Sequence, residues 1–265
     1  MKIGFIGTGN MGTALATAVA KSEVRAELFF ADFFAEKAKS LADALNGLCG
    51  DNLTLIEQCD MVFLGVKPQV LPELLAEIAP AVKGRKGALT LVTMAAGIPV
   101  SAIVKGIGEE VPVIRIMPNT PVMVGEGVIV YCPCGVSAET EEAFVKALSH
   151  GGLVEKIDES KIDAASALHG CGPAFVYLFV EALADGAVAC GLPRDAALRF
   201  AAKTVKGAAE MVLETGKHPG ALKDAVTSPG GTTIEGVRVL EEQGFRGAAM
   251  DAVIAAYEKT LELGK

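Results

Sequence analysis

Lys2-Ile-Gly-Phe-Ile6 runs directly into Gly7-Thr8-Gly9-Asn10-Met11-Gly12, and the helix-forming Thr13-Ala-Leu-Ala-Thr-Ala-Val-Ala20 follows. Strand, glycine turn and helix in that order make a phosphate cradle. The first glycine permits the tight turn, and the second lets a pyrophosphate approach the backbone. The third packs helix close to strand, with free N–H groups aimed at the anion. Gly7, Thr8, Gly9, Asn10, Met11 and Gly12 are therefore candidate dinucleotide contacts. A purely structural glycine turn is the alternative, and the flanking strand and helix weigh against it.

Moving outward, Glu27-Leu-Phe-Phe-Ala31 stops at Asp32, twenty residues past Gly12. The fingerprint places there the group that reads the adenosine ribose. A carboxylate accepts from a 2′-hydroxyl and repels a 2′-phosphate, so Asp32 taken alone leans toward NADH. The equal alternative makes Asp32 the N-cap of the next helix, beginning near Glu36 or earlier. Lys37 and Lys39 are available to neutralise a phosphate. Further apolar runs, Met61–Val66, Ala88–Met94 and Val111–Ile116, alternate with helical segments such as Val70–Val82. That alternation predicts a parallel sheet covered on both faces, with ligands at the carboxyl ends of the strands. Those ends carry Val66-Lys67-Pro68, Ala95-Ala96-Gly97 and Met117-Pro-Asn119-Thr-Pro121. Lys67, fixed by the following proline, is well placed against a cofactor, though a surface salt bridge is the bland reading. Small residues at Ala95–Gly97 leave room for a flat ring. A strand near Gly127–Tyr131, a helix over Ser137–Ser149 and a strand over Leu153–Ile157 complete the sheet.

Polar Asp158-Glu-Ser-Lys161 marks a domain boundary, giving a dinucleotide-binding domain over residues 1–158 and a helical domain over 159–265. The second half is rich in Ala, Leu, Glu, Lys and Met with scarcely a β-like run. Gly172-Pro173 predicts a kink or break. The segment Phe175–Val180 with Ala182–Ala184 is apolar on nearly every side and calls for burial on several faces. The Gly and Ala density around Gly186–Ala189 favours close contact with a second subunit. In Thr227-Ser-Pro-Gly-Gly-Thr-Thr233, Pro-Gly-Gly cannot continue a helix, whereas Thr232 or Thr233 can cap a new one over Ile234–Glu242. Consecutive amides and hydroxyls at one spot suit a small carboxylate. An ordinary inter-helix loop is the alternative.

Composition narrows the function classes. The chain has 265 residues, is 51% apolar and has a mean hydropathy of +0.42. A large core is affordable, and disorder is excluded. A net charge of −8 lacks the basic excess that phosphate backbones require, so no nucleic-acid partner is expected. Charge-free stretches Gly87–Val104 and Ala164–Val180 are broken by Gly and Pro, and read as buried segments rather than membrane spans. Six cysteines without framework spacing, and no cleavable leader before the first strand, predict free thiols in a cytoplasmic protein. Cys132-Pro-Cys134 lacks partners to complete a metal site, so no metal is expected.

Taken together, these residues resemble the pyrroline-5-carboxylate reductases over essentially the whole chain. The resemblance rests on Phe5–Gly12, Val66-Lys67-Pro68, Ala95-Ala96-Gly97, Arg115–Pro121, Gly172–Val176 and His218–Asp224 running into Thr227–Thr233, the last being the most specific. It implies an α/β architecture: an N-terminal Rossmann-type parallel sheet domain and a C-terminal all-helical domain that dimerises, often with five dimers in a ring. It implies NADPH or NADH as cofactor, NADPH being usual. Asn52, Gly65, Val66, Lys67, Pro68, Ala95, Ala96 and Gly97 would line it, with Asn119 at the next strand end. The Ser228–Thr233 loop, Gly230 included, would hold the substrate carboxylate through Ser228 and the amides of Gly231, Thr232 and Thr233. Thr233 hydroxyl would face the ring nitrogen, as the catalytic group.

Two departures stand out. His169-Gly-Cys171-Gly-Pro173 replaces the family's usual Ser-Gly-Ser-Gly-Pro, and Asp32-Phe33-Phe34 stands where many members carry groups suited to a 2′-phosphate. Among rival readings, β-hydroxyacid dehydrogenases carry a catalytic lysine on a helix corresponding to His169–Phe179, which holds none. A redox-sensing binding protein would need no carboxylate loop.

Overall fold

The computed structural model describes residues 1–263. Its elements are β1 (Lys2–Ile6), α1 (Asn10–Lys21), β2 (Glu27–Ala31), α2 (Ala35–Leu45), β3 (Leu48–Cys49), α3 (Asn52–Gln58), β4 (Met61–Leu64), α4 (Leu71–Gly84), β5 (Thr90–Thr93), α5 (Val100–Ile107), β6 (Val113–Pro118), β7 (Gly127–Cys134), α6 (Ala138–Leu148) and β8 (Gly152–Lys156). Helices α7 (Glu159–Ala165), α8 (Gly172–Ala189), α9 (Arg194–Thr215), α10 (Pro219–Ala225), α11 (Thr232–Glu242) and α12 (Phe245–Leu263) follow.

The eight strands form one sheet in the order β3-β2-β1-β4-β5-β6-β7-β8. Strand order reverses direction at β1, which pairs with β2 on one side and β4 on the other. Doubly wound sheets bind ligands at the carboxyl edge of such a reversal, which here falls between the ends of β1 and β4. β1, β4, β5 and β6 are buried on nearly every residue, as a sheet covered on both faces requires. One face holds Phe5 stacked on Phe63 at 4.6 Å and on Phe30 at 5.8 Å, with Leu15 and Val19 of α1 and Phe144 of α6 in the same core. The other packs Val62, Leu64 and Leu91 against Leu55, Leu75, Ile78 and Ile103 of the opposite helix layer.

The sheet departs from the all-parallel expectation at one joint. β7 runs antiparallel to β6, and β8 is parallel to β7. Only Asn119, a 3₁₀ turn over Thr120–Val124 and Gly125–Glu126 separate β6 from β7. So short a link allows an antiparallel return, whereas a parallel neighbour needs a crossover of about a dozen residues. β7 also continues through Pro133 to Cys134, beyond the predicted strand.

Packing divides the chain into a unit over Met1–Cys171, joined by the segment from Ala256, and a unit over Gly172–Ala255. By packing, the first unit runs past the polar break at residue 158 to Cys171. Arg115, 3% exposed on β6, pairs with Glu159 at 3.2 Å and Asp163 at 2.8 Å. Glu159 also accepts from the Val100 amide at 2.7 Å, and Ile162 is fully buried. α7 is therefore fastened to the sheet unit. The expected break near Pro173 appears one turn earlier as a π-helical turn over Ser166–Gly170, because Pro173 sits in the first turn of α8, where no amide donor is needed.

Within the helical unit, α8 and α9 pack through Ala184, Ala197 and Ala201. α10 and α11 bury no residue. Tyr177, Leu178, Phe200, Leu213 and Met250 are exposed, so this unit lacks an interior sufficient for its apolar surface. By length and composition alone, the helical run Glu159–Ala189 could cross a membrane, and its apolar window is little buried.

Candidate functional site

The glycine turn is assembled by mutual contact. A β-carbon on Gly7, whose φ is +98°, would meet the Gly65 carbonyl carbon and oxygen at 2.8 Å; one on Gly65 would meet the Gly7 oxygen at 2.7 Å; one on Gly12 would overlap that same oxygen. Gly65 N–H donates to Ile6 O at 2.7 Å. These three glycines are demanded by the protein's own packing. Gly9 is different, because a β-carbon there meets nothing within 4 Å. It is the N-cap of α1 in extended backbone, with no side-chain cap. The leading amides of α1 have no intrahelical acceptor by position, and they begin beside this unhindered glycine. That combination fits a pyrophosphate.

Thr8 is buried and turned inward. Its amide and hydroxyl both donate to Asp32 Oδ2, at 2.7 and 2.9 Å. Asp32 Oδ1 accepts from the Phe34 amide at 2.9 Å. Phe34, not Asp32, is the N-cap of α2, so the capping alternative is corrected: three bonds tie Asp32 to the turn and to the glycine loop instead. Burial pushes its carboxyl up, but the Thr8 and Phe34 amides, the Thr8 hydroxyl and the Lys37 charge together hold it below its ordinary value. Asn10 is exposed at the start of α1, and Met11 packs against the core.

Beside this loop stand the ends of β4 and β5, with Ile6 level with Leu64 and Leu64 with Thr93. Val66 is half-buried against the core. Lys67 is exposed and forms no ion pair among the described residues; its carbonyl accepts from Val70 and Leu71 and so starts α4. The surface salt bridge is not made. Pro68 is half-buried. Ala95 is buried, Ala96 exposed, and Gly97 turns the chain at φ +72°.

Two expected contacts have other employment. Asn119 is buried, its Nδ2 donating to His169 O at 3.0 Å and its Oδ1 accepting from Val128 N–H at 2.9 Å. Its amide holds the β6–β7 return against the π turn, which corrects its reading as a side chain offered to a cofactor. Asn52 Nδ2 donates to the Glu77 carboxylate at 3.0 and 3.1 Å. His169 Nε2 donates to Met117 O at 2.8 Å, so the imidazole has a structural partner.

In the helical unit, Gly230 adopts φ +66° and Gly231 N–H donates to Ser228 O at 3.0 Å. This closes a turn over Ser228–Gly231. Gly231 is the N-cap of α11, without a side-chain cap bond. Thr232 and Thr233 are therefore first-turn residues, not caps, because the tight turn places extended backbone at Gly231. Ser228, Thr232 and Thr233 are exposed. Their hydroxyls and the leading amides of an 11-residue helix make a receptor of the kind small anions take.

The family model described as pyrroline-5-carboxylate reductase dimerisation matches residues 159–263, and one described as NADP oxidoreductase coenzyme F420-dependent matches residues 2–97. A pyrroline-5-carboxylate reductase from Methanosarcina acetivorans is 41% identical over 100% of this chain and 98% of its own. The solved pyrroline-5-carboxylate reductase from Coxiella burnetii superposes with a TM-score of 0.91 at 30% identity, covering 99% of this chain and 98% of that one. The Plasmodium falciparum pyrroline carboxylate reductase, solved with NADP bound, superposes with a TM-score of 0.86 at 32% identity, covering 100% and 98%. With the glycine cradle, the Ser228–Thr233 turn and these likenesses together, the chain belongs to the pyrroline-5-carboxylate reductase family.

Proposed function

We propose that this protein reduces Δ1-pyrroline-5-carboxylate to L-proline, the last step of proline biosynthesis, with NADPH or NADH as reductant. The observation that carries the reading is the exposed, unhindered backbone at Gly9, where an added β-carbon would meet no described atom within 4 Å, at the carboxyl edge of a reversing, mostly parallel sheet. A reduced nicotinamide dinucleotide held by its pyrophosphate at that loop would supply the hydride that the C=N carbon accepts. Gly9 and the leading amides of α1 at Asn10, Met11 and Gly12 receive the pyrophosphate, with Gly7 shaping the turn; Gly65–Pro68 and Ala95–Gly97 border the rest of the cofactor, and Asn52 contributes through its place at the start of α3.

The helical unit supplies the second half of the chemistry. Ser228 and the amides of Gly231, Thr232 and Thr233, shaped by Gly230, hold the substrate carboxylate by hydrogen bonds and helix-terminal charge. The substrate is most electrophilic as an iminium, protonated from water. Thr233 hydroxyl stabilises the nitrogen proton, the catalytic role assigned to it. The remaining task is orientation, since hydride transfer requires donor and acceptor carbons within roughly 3–3.5 Å.

The uncovered apolar faces of α8, α9 and α11 are read as the surface of a homodimer, rather than a membrane contact, and the dimers as units of a larger ring such as a decamer. The match to a dimerisation model supports this. Free cysteines, Cys49, Cys134 and Cys190 exposed among them, suit a reducing cytoplasm.

The experiment is oxidation of NADH and NADPH by the purified chain on addition of pyrroline-5-carboxylate, with product identified by chromatography. Stoichiometric proline is expected. Absence of proline with both cofactors would reject the activity.

A further inference from the structure

The turn after β2 contains a fixed carboxylate and two exposed aromatic rings, and one cation of α2 beside it is already engaged. Asp32 accepts three hydrogen bonds of the roughly four a carboxylate offers. One acceptor position remains on Oδ1, enough for a ribose hydroxyl. Two of the three donors are backbone amides, so the carboxylate cannot swing aside without releasing Thr8 and, with it, the glycine loop. The bonds to Thr8, to Phe34 and the nearby Lys37 outweigh burial and keep the group ionised.

The two side chains that follow Asp32 in the turn offer nothing to a phosphate. Phe33 is 95% exposed and Phe34 58%, and the two rings meet edge to face at 5.1 Å. Neither has a donor. Lys37 Nζ lies 4.9 Å from the centre of the Phe34 ring and acts on Asp32, so its charge is shared between ring and carboxylate. Lys39 is exposed. A 2′-phosphate carrying nearly two negative charges would meet an anion that cannot retreat, and aromatic carbon beside it.

Resting on the dinucleotide reading above, we propose that the Asp32-Phe33-Phe34 turn makes this chain select NADH over NADPH, with Asp32 the specificity-determining residue. The selection is built from exclusion as much as from attraction: the ribose hydroxyl gains an acceptor, and the phosphate meets a fixed like charge.

Calorimetric titration of the chain with NADH and with NADPH, without substrate, tests this independently of turnover. NADH is expected to bind at least about tenfold more tightly. In Asp32→Asn, which keeps the shape and loses the charge, the ratio is expected to shrink by about tenfold, chiefly through tighter NADPH. Equal or tighter NADPH binding by the unaltered chain would overturn the proposal. So would an unchanged ratio in Asp32→Asn with both affinities lowered together, the result for a carboxylate that only braces the loop. Binding of neither cofactor would instead overturn the dinucleotide reading, and the selection with it.

Discussion

A β-carbon on Gly12 would overlap the carbonyl oxygen of Gly7, whereas one on Gly9 would find no atom within 4 Å. The two glycines share one loop and serve different masters. Gly12 is required by the fold; Gly9 carries no such demand, and in the proposed reading it serves the dinucleotide. Gly9→Ala is expected to leave thermal stability unchanged or slightly raised, since φ −67° suits alanine and the unfolded chain loses freedom. Its affinity for the dinucleotide should fall by about tenfold or more, as backbone approach is blocked. Gly12→Ala should lower the melting temperature. Melting curves with and without cofactor distinguish the two; equal behaviour would contradict the assignment.

At the helical loop, Thr233→Ala removes the hydroxyl and leaves the amides. Turnover should drop by about 10-fold to 100-fold, the loss of one hydrogen bond to a charged group, with cofactor affinity intact. Steady-state rates beside equilibrium titration give both numbers, and unaltered turnover would reject the role of the hydroxyl.

The alkaline limb of stability has two named sources. Burial, aided by the Glu141 carboxylate that accepts its hydroxyl at 3.0 Å, pushes Tyr131 up to about 12. Burial likewise pushes the Cys59 thiol up to about 12 against the pull of Arg85. Both are groups whose folded pKa is raised, so their contribution is complete below their unfolded values and drains away as pH rises toward 12. Denaturant unfolding should show stability declining above about pH 9. Tyr131→Phe should flatten that decline while costing about 1 kcal/mol near neutrality; an identical slope would remove Tyr131 as a cause. In the native protein, alkylation near pH 8 should mark Cys49 and Cys134 before Cys59, read by mass spectrometry.

Leu178 is 70% exposed on a helix with almost no buried residue. Leu178→Glu should convert the assembled protein to smaller species in sedimentation velocity, because a charge would have to be desolvated in the contact between copies. Unchanged sedimentation would place the contact elsewhere.

Much of the sheet unit could be read from its sequence because local chemistry decided it. The glycine spacing, the apolar runs and the N-cap Ser137, which accepts from Thr140 N–H, each fix structure within a few residues. What escaped reading depends on distant partners. The reversal at β7 follows from linker length and is invisible in the strand itself. Asp32 could be placed beside the ribose or at a helix start, but not on Thr8, because that bond spans 24 residues. Asn119 looked free at a strand end, yet its partners lie at Val128 and His169. The attachment of α7 depends on Arg115, whose sequence neighbours give no hint of Glu159 and Asp163. In the helical loop, Pro-Gly-Gly located the turn correctly, while the left-handed Gly230 moved the cap back to Gly231.

The loop between β1 and α1 is already held in shape by Gly7 against Gly65, Gly12 against Gly7, and Thr8 against Asp32. A receptor preset in this way loses little freedom when it captures its guest, so less of the interaction is consumed by ordering. Encounter should then be a single fast step without a preceding rearrangement, and the residence time alone should distinguish one guest from another.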